Sequence, residues 1–197
     1  MVAAVETRYA TDPVPESHYR LGMYVALAGI LMLFTALTSA YIVRSASSND
    51  WQSLAMPRIL LLSTALLVIS SGTLEAARRK LRSAVATLYT GWLSVTLVLG
   101  FGFLISQFFA WRELTARGIY LASGPHSSFF YLLTATHGLH LLAGLLALAY
   151  LLIRASSRLA DRTQLARRQA VTDAITVYWH FMDVLWIYLF LLLFVWK

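Results

Sequence analysis

Four polar side chains that could do chemistry lie inside two long apolar segments of the sequence. His137 and His140 are three residues apart in one segment, and His180 and Asp183 are three apart in the next. At this spacing the two members of a pair share one face of a helix. An ionisable group inside a membrane span costs at least about 2.5 to 3.5 kcal/mol on insertion scales, so each of the four is a candidate functional residue.

The two pairs are expected to lie at the same depth in a membrane. With a rise of about 1.5 Å per residue, Asp183 lies about 14 Å from the face near Ala174, and His140 lies about 16 Å from the opposite face near Phe129. These positions coincide in a hydrocarbon core about 30 Å thick. We therefore predict that His140 and Asp183 are partners between helices, either directly or through water.

Spacing alone leaves three interpretations of the four residues open. They could form a structural polar core of interhelical hydrogen bonds, with Gly138 and Gly144 permitting close helix approach. The histidines could ligate haem from different helices, or Asp183 could carry a proton or ion path. We favour the structural interpretation because no second histidine pair lies at a complementary depth and a single midplane acid makes a poor relay.

The composition indicates that these residues belong to a membrane protein. Hydrophobic residues make up 59% of the 197 residues and charged residues 13%, whereas soluble domains have about 45 to 50% and about 25%. This composition excludes a soluble enzyme. The chain contains no cysteine, which excludes disulfides, Cys-ligated zinc, iron–sulfur clusters and thiol nucleophiles.

Apolar segments long enough to cross a bilayer core of about 30 Å as helices occur along the whole chain. We predict an all-α bundle of transmembrane helices with an N-terminal tail over residues 1–20 and a membrane domain over residues 21–197. The predicted spans cover about residues 21–43, 59–78, 85–109, 129–153 and 174–196. The second is short and is expected to begin just after Pro57. The tail contains acids and prolines without a long apolar run, so we do not expect a signal peptide.

The basic residues predict the orientation of the spans. Eleven of the sixteen Lys and Arg residues fall in the tail and in the second and fourth connections, which all lie on one side. The positive-inside rule therefore places the N-terminus in the cytoplasm and the C-terminus outside. Arg78, Arg79 and Lys80 are expected to contact lipid head groups there. Because the basic residues flank spans and do not line one groove, we expect no nucleic-acid binding.

The remaining polar and aromatic residues predict helix packing and membrane position. Gln107 is expected to bond a neighbouring helix or lipid, and the small residues of the second span are expected to let helices approach closely. Those small residues are Ser63, Thr64, Ser70, Ser71 and Gly72. Four tryptophans near span ends are typical of an aromatic belt, namely Trp51, Trp92, Trp111 and Trp196.

Two segments of the sequence resemble a known family. Residues 128–144, SFFYLLTATHGLHLLAG, are similar to the T-G-x-H-G-x-H segment of subunit III of haem–copper oxidases. Residues 178–186, YWHFMDVLW, match that family's Y-W-H-F-x-D-x-x-W segment at every fixed position. The resemblance continues more weakly through the first three spans, and the five spans resemble the short bacterial form of cytochrome c oxidase subunit 3.

The resemblance implies a non-catalytic subunit of an aerobic respiratory oxidase in the bacterial plasma membrane. In that family subunit III holds no metal or haem. It packs against catalytic subunits I and II, which carry the haem and copper, encloses phospholipids and supports proton uptake. The resemblance makes Trp179 and Trp186 packing or lipid contacts. The alternatives are an accessory subunit of a nitric oxide reductase, subunit III of a quinol oxidase and, more remotely, a b-haem electron carrier.

The chain departs from the family pattern at two acids. The family's Ser-Glu in the first of these helices corresponds to Gly29 and Ile30, and its acid after Gln107 falls at Ala110. We therefore do not expect this chain to use those carboxylates in proton handling. Assembly and lipid binding do not depend on them.

Overall fold

The computed structural model describes residues 16–47, 56–83, 86–155 and 162–195. It contains five helices, which are α1 (Glu16–Ser47), α2 (Ile59–Arg82), α3 (Ala86–Ala116), α4 (Pro125–Ala155) and α5 (Arg162–Val195). All five are long and apolar enough to cross a membrane, which confirms the predicted all-α fold and its five spans. Most of the predicted tail, Trp51 and Trp196 lie outside the described residues.

The helices extend beyond the predicted spans because polar residues continue them past the apolar segments. The largest extension is in α5, which begins at Arg162 and not near residue 174. In α4 the extension starts at Pro125, the first helical position, where the missing N–H costs no hydrogen bond. Pro57 instead lies two residues before α2, and its carbonyl accepts the Leu60 N–H at 3.2 Å.

Helices α4 and α5 each pack against three other helices. Helix α5 packs against α1, α2 and α4, while α3 packs between α2 and α4. Within the described part of the chain α1 packs against α4 and α5 alone. The largest fully buried side chains are aromatic and include Trp179, Trp186 and Tyr41. The outer surface is also apolar, as expected for helices that face lipid.

Glycines on α3 and α4 make room for Trp179. A Cβ atom at Gly100 would lie 2.6 Å from Leu145 Cδ2 and 2.9 Å from Trp179 Cη2. At Gly144 it would lie 3.0 Å from Tyr178 and 3.2 Å from Trp179. The predicted close approach at Gly144 is thus present, and Gly100 is a tighter position that the sequence did not reveal. A Cβ at Gly138 would make only an ordinary contact, 3.8 Å from Leu104.

Candidate functional site

The YWHFMDVLW segment of α5 is bonded to hydroxyl groups of α2. Trp186 Nε1 donates to Thr64 Oγ1 at 3.0 Å, and Trp179 Nε1 donates to Ser70 Oγ at 2.9 Å. His180 Nδ1 lies 2.7 Å from Ser71 Oγ. The earlier α2 residue Thr64 bonds the later α5 residue Trp186, and the later residue Ser70 bonds the earlier Trp179, so the two helices are antiparallel at this interface. We call this line of contacts the α2–α5 seam.

The α2 hydroxyls can accept indole N–H groups because their own protons are used within the helix. Thr64 Oγ1 donates to the Leu60 carbonyl at 2.8 Å, and Ser70 Oγ donates to the Leu67 carbonyl at 2.6 Å. Each oxygen keeps lone pairs for an incoming donor, and tryptophan can only donate. The small residues of α2 therefore hold polar partners for α5, in addition to permitting close helix approach.

The same helix also bonds α3. Gln107 Nε2 donates to Ser63 Oγ at 2.9 Å. Thr73 Oγ1 and Thr96 Oγ1 lie 2.8 Å apart. The side-chain carbonyl oxygen of Gln107 is buried and has no hydrogen-bond partner among the described residues. Helix α2 thus links α3 and α5 through short polar side chains.

Asp183 faces α2 together with His180. Its side chain is almost fully buried and interacts with the Ser71 hydroxyl. Its Oδ1 atom has no hydrogen-bond partner in the described ranges. One hydroxyl on α2 therefore lies beside both members of the α5 pair.

His140 has a different partner from the one that depth suggested. Its Nδ1 atom lies 2.8 Å from the Thr136 carbonyl oxygen, one turn earlier in α4. Because a carbonyl only accepts, Nδ1 carries the proton of this bond. The α5 residue that reaches this position is Tyr178, whose hydroxyl donates to the His140 carbonyl at 2.7 Å. The direct contact predicted between His140 and Asp183 is therefore not among the described contacts, because equal depth does not fix the direction in which each side chain points.

His137 is enclosed by aromatic rings. Its ring centroid lies 5.0 Å from that of Trp186, 5.7 Å from Phe103 and 6.5 Å from Phe34. The side chain is fully buried, and neither ring nitrogen has a hydrogen-bond partner within the described part of the chain. The described residues also contain no group of three or more His, Asp or Glu side chains placed to hold a metal ion.

Three basic residues of α2, Arg78, Arg79 and Arg82, are paired with acids. Arg78 Nε donates to Asp173 Oδ1 of α5 at 2.6 Å, and Arg82 Nη2 donates to Asp173 Oδ2 at 3.2 Å. Glu75 lies 3.3 Å from Arg78 and from Arg79. Arg78 was predicted to contact head groups, but it extends the α2–α5 seam to the end of the bundle. This pairing could not be predicted from the sequence because Asp173 is on a distant helix.

A second basic region lies at the same end, where α4 ends and α5 begins. A cavity of about 360 Å³ opens there. Its lining residues are Tyr150, Leu151, Arg154, Gln164, Arg167, Arg168 and Val171. We call it the α4–α5 cavity. From the sequence, its arginines predicted only the orientation of the spans.

The two positions where the family acids are missing lie inside the helix packing. Ala110 is fully buried in α3, and Ile30 is partly buried against the core. The residue that directly follows Ala110 makes a polar contact between α3 and α4: Trp111 Nε1 donates to Thr134 Oγ1 at 3.1 Å. Apolar side chains therefore occupy both positions in this chain.

Sequence similarity to known proteins shows the family of this chain. The chain matches the family described as cytochrome c oxidase subunit III over residues 9–197. The probable cytochrome c oxidase subunit 3 of Nocardia farcinica (strain IFM 10152) is 32% identical over 174 residues, which cover 86% of this chain and 84% of the relative. The cytochrome bo(3) ubiquinol oxidase subunit 3 of Pseudomonas putida is 30% identical over 173 residues, with 86% and 82% covered. The cytochrome c oxidase subunit 3 of Bacillus subtilis (strain 168) is 29% identical over 174 residues, with the same coverage. This chain belongs to the cytochrome c oxidase subunit III family, as its two C-terminal segments predicted.

Proposed function

We propose that this protein is the non-catalytic third subunit of a respiratory terminal oxidase, where it stabilises the catalytic subunit and binds phospholipid. The observation that carries the proposal is the α2–α5 seam. Trp179, His180 and Trp186 of the YWHFMDVLW segment are hydrogen-bonded to α2, and His137 is packed among aromatic rings. Side chains engaged in this way favour a structural polar core over haem ligation or a proton path.

The family membership has direct consequences for location and partners. The chain is a multi-pass protein of the bacterial plasma membrane and a subunit of a haem–copper oxidase. We propose that subunits I and II are its partners and hold the haem and copper, as membership of the subunit III family implies. Phospholipids are expected at its apolar surface and near Arg79 and Lys80.

We also propose that the N-terminus and the second and fourth connections face the cytoplasm. The support is the clustering of arginines at the end of the bundle where α2 and α4 finish and α5 begins. The absence of cysteine from the sequence makes the test direct. Single cysteines introduced at Ser83 and at Ser123 should react with an impermeant maleimide from opposite sides of the membrane. Labelling of Ser83→Cys from the outside would reverse the proposed orientation.

The experiment that tests the proposed function is a mild-detergent purification of the tagged chain from its native membrane. We expect a haem–copper catalytic subunit to co-purify, and the reduced-minus-oxidised haem spectrum to stay with that subunit after the chains are separated. Haem that remains on this chain would contradict the structural role of His137, His140 and His180. Purification without any haem–copper partner would contradict the role in an oxidase.

A quinol oxidase is the second candidate complex. The similarity to the Pseudomonas putida relative, named a cytochrome bo(3) ubiquinol oxidase subunit 3, supports it to nearly the same degree as the similarity to cytochrome c oxidase subunits. The purified complex distinguishes the two, because only one of reduced cytochrome c and a quinol should sustain its oxygen consumption. A complex that reduces nitric oxide and not oxygen would favour the nitric oxide reductase alternative.

A further inference from the structure

Helices α1 and α2 leave one side of α5 uncovered. Both pack against α5, but within the described residues they make no contact with each other, while α3 and α4 close the bundle on the other side. The α5 side chains on the open side are exposed and mostly apolar, namely Val177, Val184, Ile187 and Tyr188. We call the space between α1 and α2, with these side chains as its floor, the α1–α2 groove.

His180 brings a polar atom to this groove. It is three residues from Val177 and four from Val184, so it shares their face of α5, and its side chain is partly exposed. Its Nδ1 atom is bonded to Ser71, whereas its Nε2 atom has no hydrogen bond to another described residue. Nε2 is also not among the buried unpartnered atoms of the described chain, so it is accessible from outside. One nitrogen therefore holds the ring while the other is open to a ligand.

The surroundings of His180 favour an uncharged ligand. At a rise of about 1.5 Å per residue, His180 lies about 9 Å inside the membrane face near Ala174, below the level of charged head groups. Glu75 and Arg78 act electrostatically on His180, but they pair with each other at 3.3 Å. A charged group would be costly to bring to this depth. The ligand that fits is apolar and carries a neutral hydrogen-bonding group.

We propose that the α1–α2 groove binds an isoprenoid quinone or its quinol, with one ring oxygen hydrogen-bonded to His180 Nε2. A nitrogen of neutral imidazole donates or accepts according to the tautomer, and the ring oxygen matches both, as a quinone carbonyl or a quinol hydroxyl. The apolar tail lies against Val184 and Ile187. The site involves binding alone and goes beyond the proposed function, since it does not depend on which electron donor the oxidase uses. Diacylglycerol also carries a neutral hydroxyl, so the test includes it.

The test is photoaffinity labelling of the protein purified with its partners in mild detergent. The probe is a short-chain quinone with a photoreactive azide on its tail, and mass spectrometry of peptides from this chain measures labelling of α5. A quinone site on another subunit does not affect this readout. Competition by unlabelled quinone, by an alkylbenzene with the same tail but no ring oxygen, and by diacylglycerol gives the relative affinities.

Three variants locate the hydrogen bond. His180→Asn keeps an amide near the position of Nδ1 for Ser71 and removes Nε2. His140→Asn makes the same change on α4, which does not border the groove, and is the matched control. Val184→Trp fills the groove floor at a position that is 67% exposed, so it leaves the polar contacts of the bundle in place.

We expect the quinone to bind the wild-type protein about three- to tenfold more tightly than the alkylbenzene, the effect of one hydrogen bond. His180→Asn should remove this preference, His140→Asn should keep it, and Val184→Trp should abolish labelling of α5. A preference that survives in His180→Asn would overturn the proposal, as would labelling of α5 that Val184→Trp leaves unchanged. Competition by diacylglycerol equal to that by the quinone would also overturn it and indicate a site for hydroxyl lipids in general.

Discussion

Two pairs of polar residues in this bundle have the same spacing and similar depth but opposite surroundings. On α5, His180 and Asp183 both face a hydroxyl of α2. On α4, His140 bonds a carbonyl of its own helix, and His137 is surrounded by aromatic rings. The α5 pair therefore joins helices through polar contacts, whereas the α4 side chains contribute mainly packing.

The difference between the pairs comes from the neighbouring helices. Helix α2 presents serine and threonine at the levels of Trp179, His180 and Trp186, so each of these side chains has a hydroxyl partner. Helix α1, which packs beside α4, presents Phe34 to both His137 and His140. Identical motif spacing thus has different consequences, depending on what the facing helix supplies.

The largest expected effect on stability comes from adding a side chain at Gly100 of α3, where Trp179 of α5 packs closely. Gly100→Val should lower the free energy of unfolding of the complex-bound subunit by about 1 to 3 kcal/mol or more, because its side chain would overlap Leu145 and Trp179. A denaturing-detergent titration measures it. Gly91→Val is the matched control, since no atom lies within 4 Å of its added Cβ. Equal losses from both variants would show that Trp179 is not held as described.

A double-mutant cycle tests the contact between Ser71 and His180. Ser71→Ala and His180→Leu should show a coupling energy of about 0.6 to 2 kcal/mol, the range of hydrogen bonds between membrane helices. The measurement is again the free energy of unfolding of the two single variants and the double variant. A coupling near zero would mean that the 2.7 Å contact contributes nothing to stability and would remove the contrast between the pairs.

The cycle between His140 and Asp183 should give the opposite result. The structure bonds His140 to Thr136 and places Asp183 beside Ser71, so the losses from His140→Leu and Asp183→Leu should add within about 0.5 kcal/mol. The same titration measures this. A coupling above about 1 kcal/mol would restore the partnership that depth alone predicted, for instance through a bridging water.

The smallest effect is expected at His137. His137→Leu should change the free energy of unfolding by no more than about 0.5 kcal/mol or should stabilise the chain, because a buried ring without a polar partner is replaced by an apolar side chain. His137→Ala is the comparison and should cost more, since it leaves a cavity among the aromatic rings. If His137→Leu were as costly as His137→Ala, the imidazole nitrogens would have a role that packing does not explain.

The sequence predicted the features that depend on one segment at a time. Apolar length predicted five spans, and the i,i+3 spacing predicted that His180 and Asp183 share a face. The small residues of α2 predicted close packing. Each of these follows from local hydropathy or helix geometry, which a single segment contains.

Features that depend on two distant segments could not be predicted. Whether Arg78 meets a head group or Asp173 depends on which helix lies beside α2 and in what register. The tight position at Gly100 requires knowing that Trp179 crosses α3 there. The α4–α5 cavity likewise results from the way two helix ends diverge, and its arginines are indistinguishable in the sequence from those that are paired with acids.

The position of α1 has a consequence for how the protein is made. Within the described residues α1 packs against α4 and α5, which are synthesised after α2 and α3. During most of translation α1 must therefore remain in the bilayer without its final neighbours. Its composition suits this delay, because its most apolar stretch has a mean hydropathy of 2.0, the highest among the five helices, and is also the least buried in the finished bundle. The packing of α1 is thus completed only after α4 and α5 have been inserted.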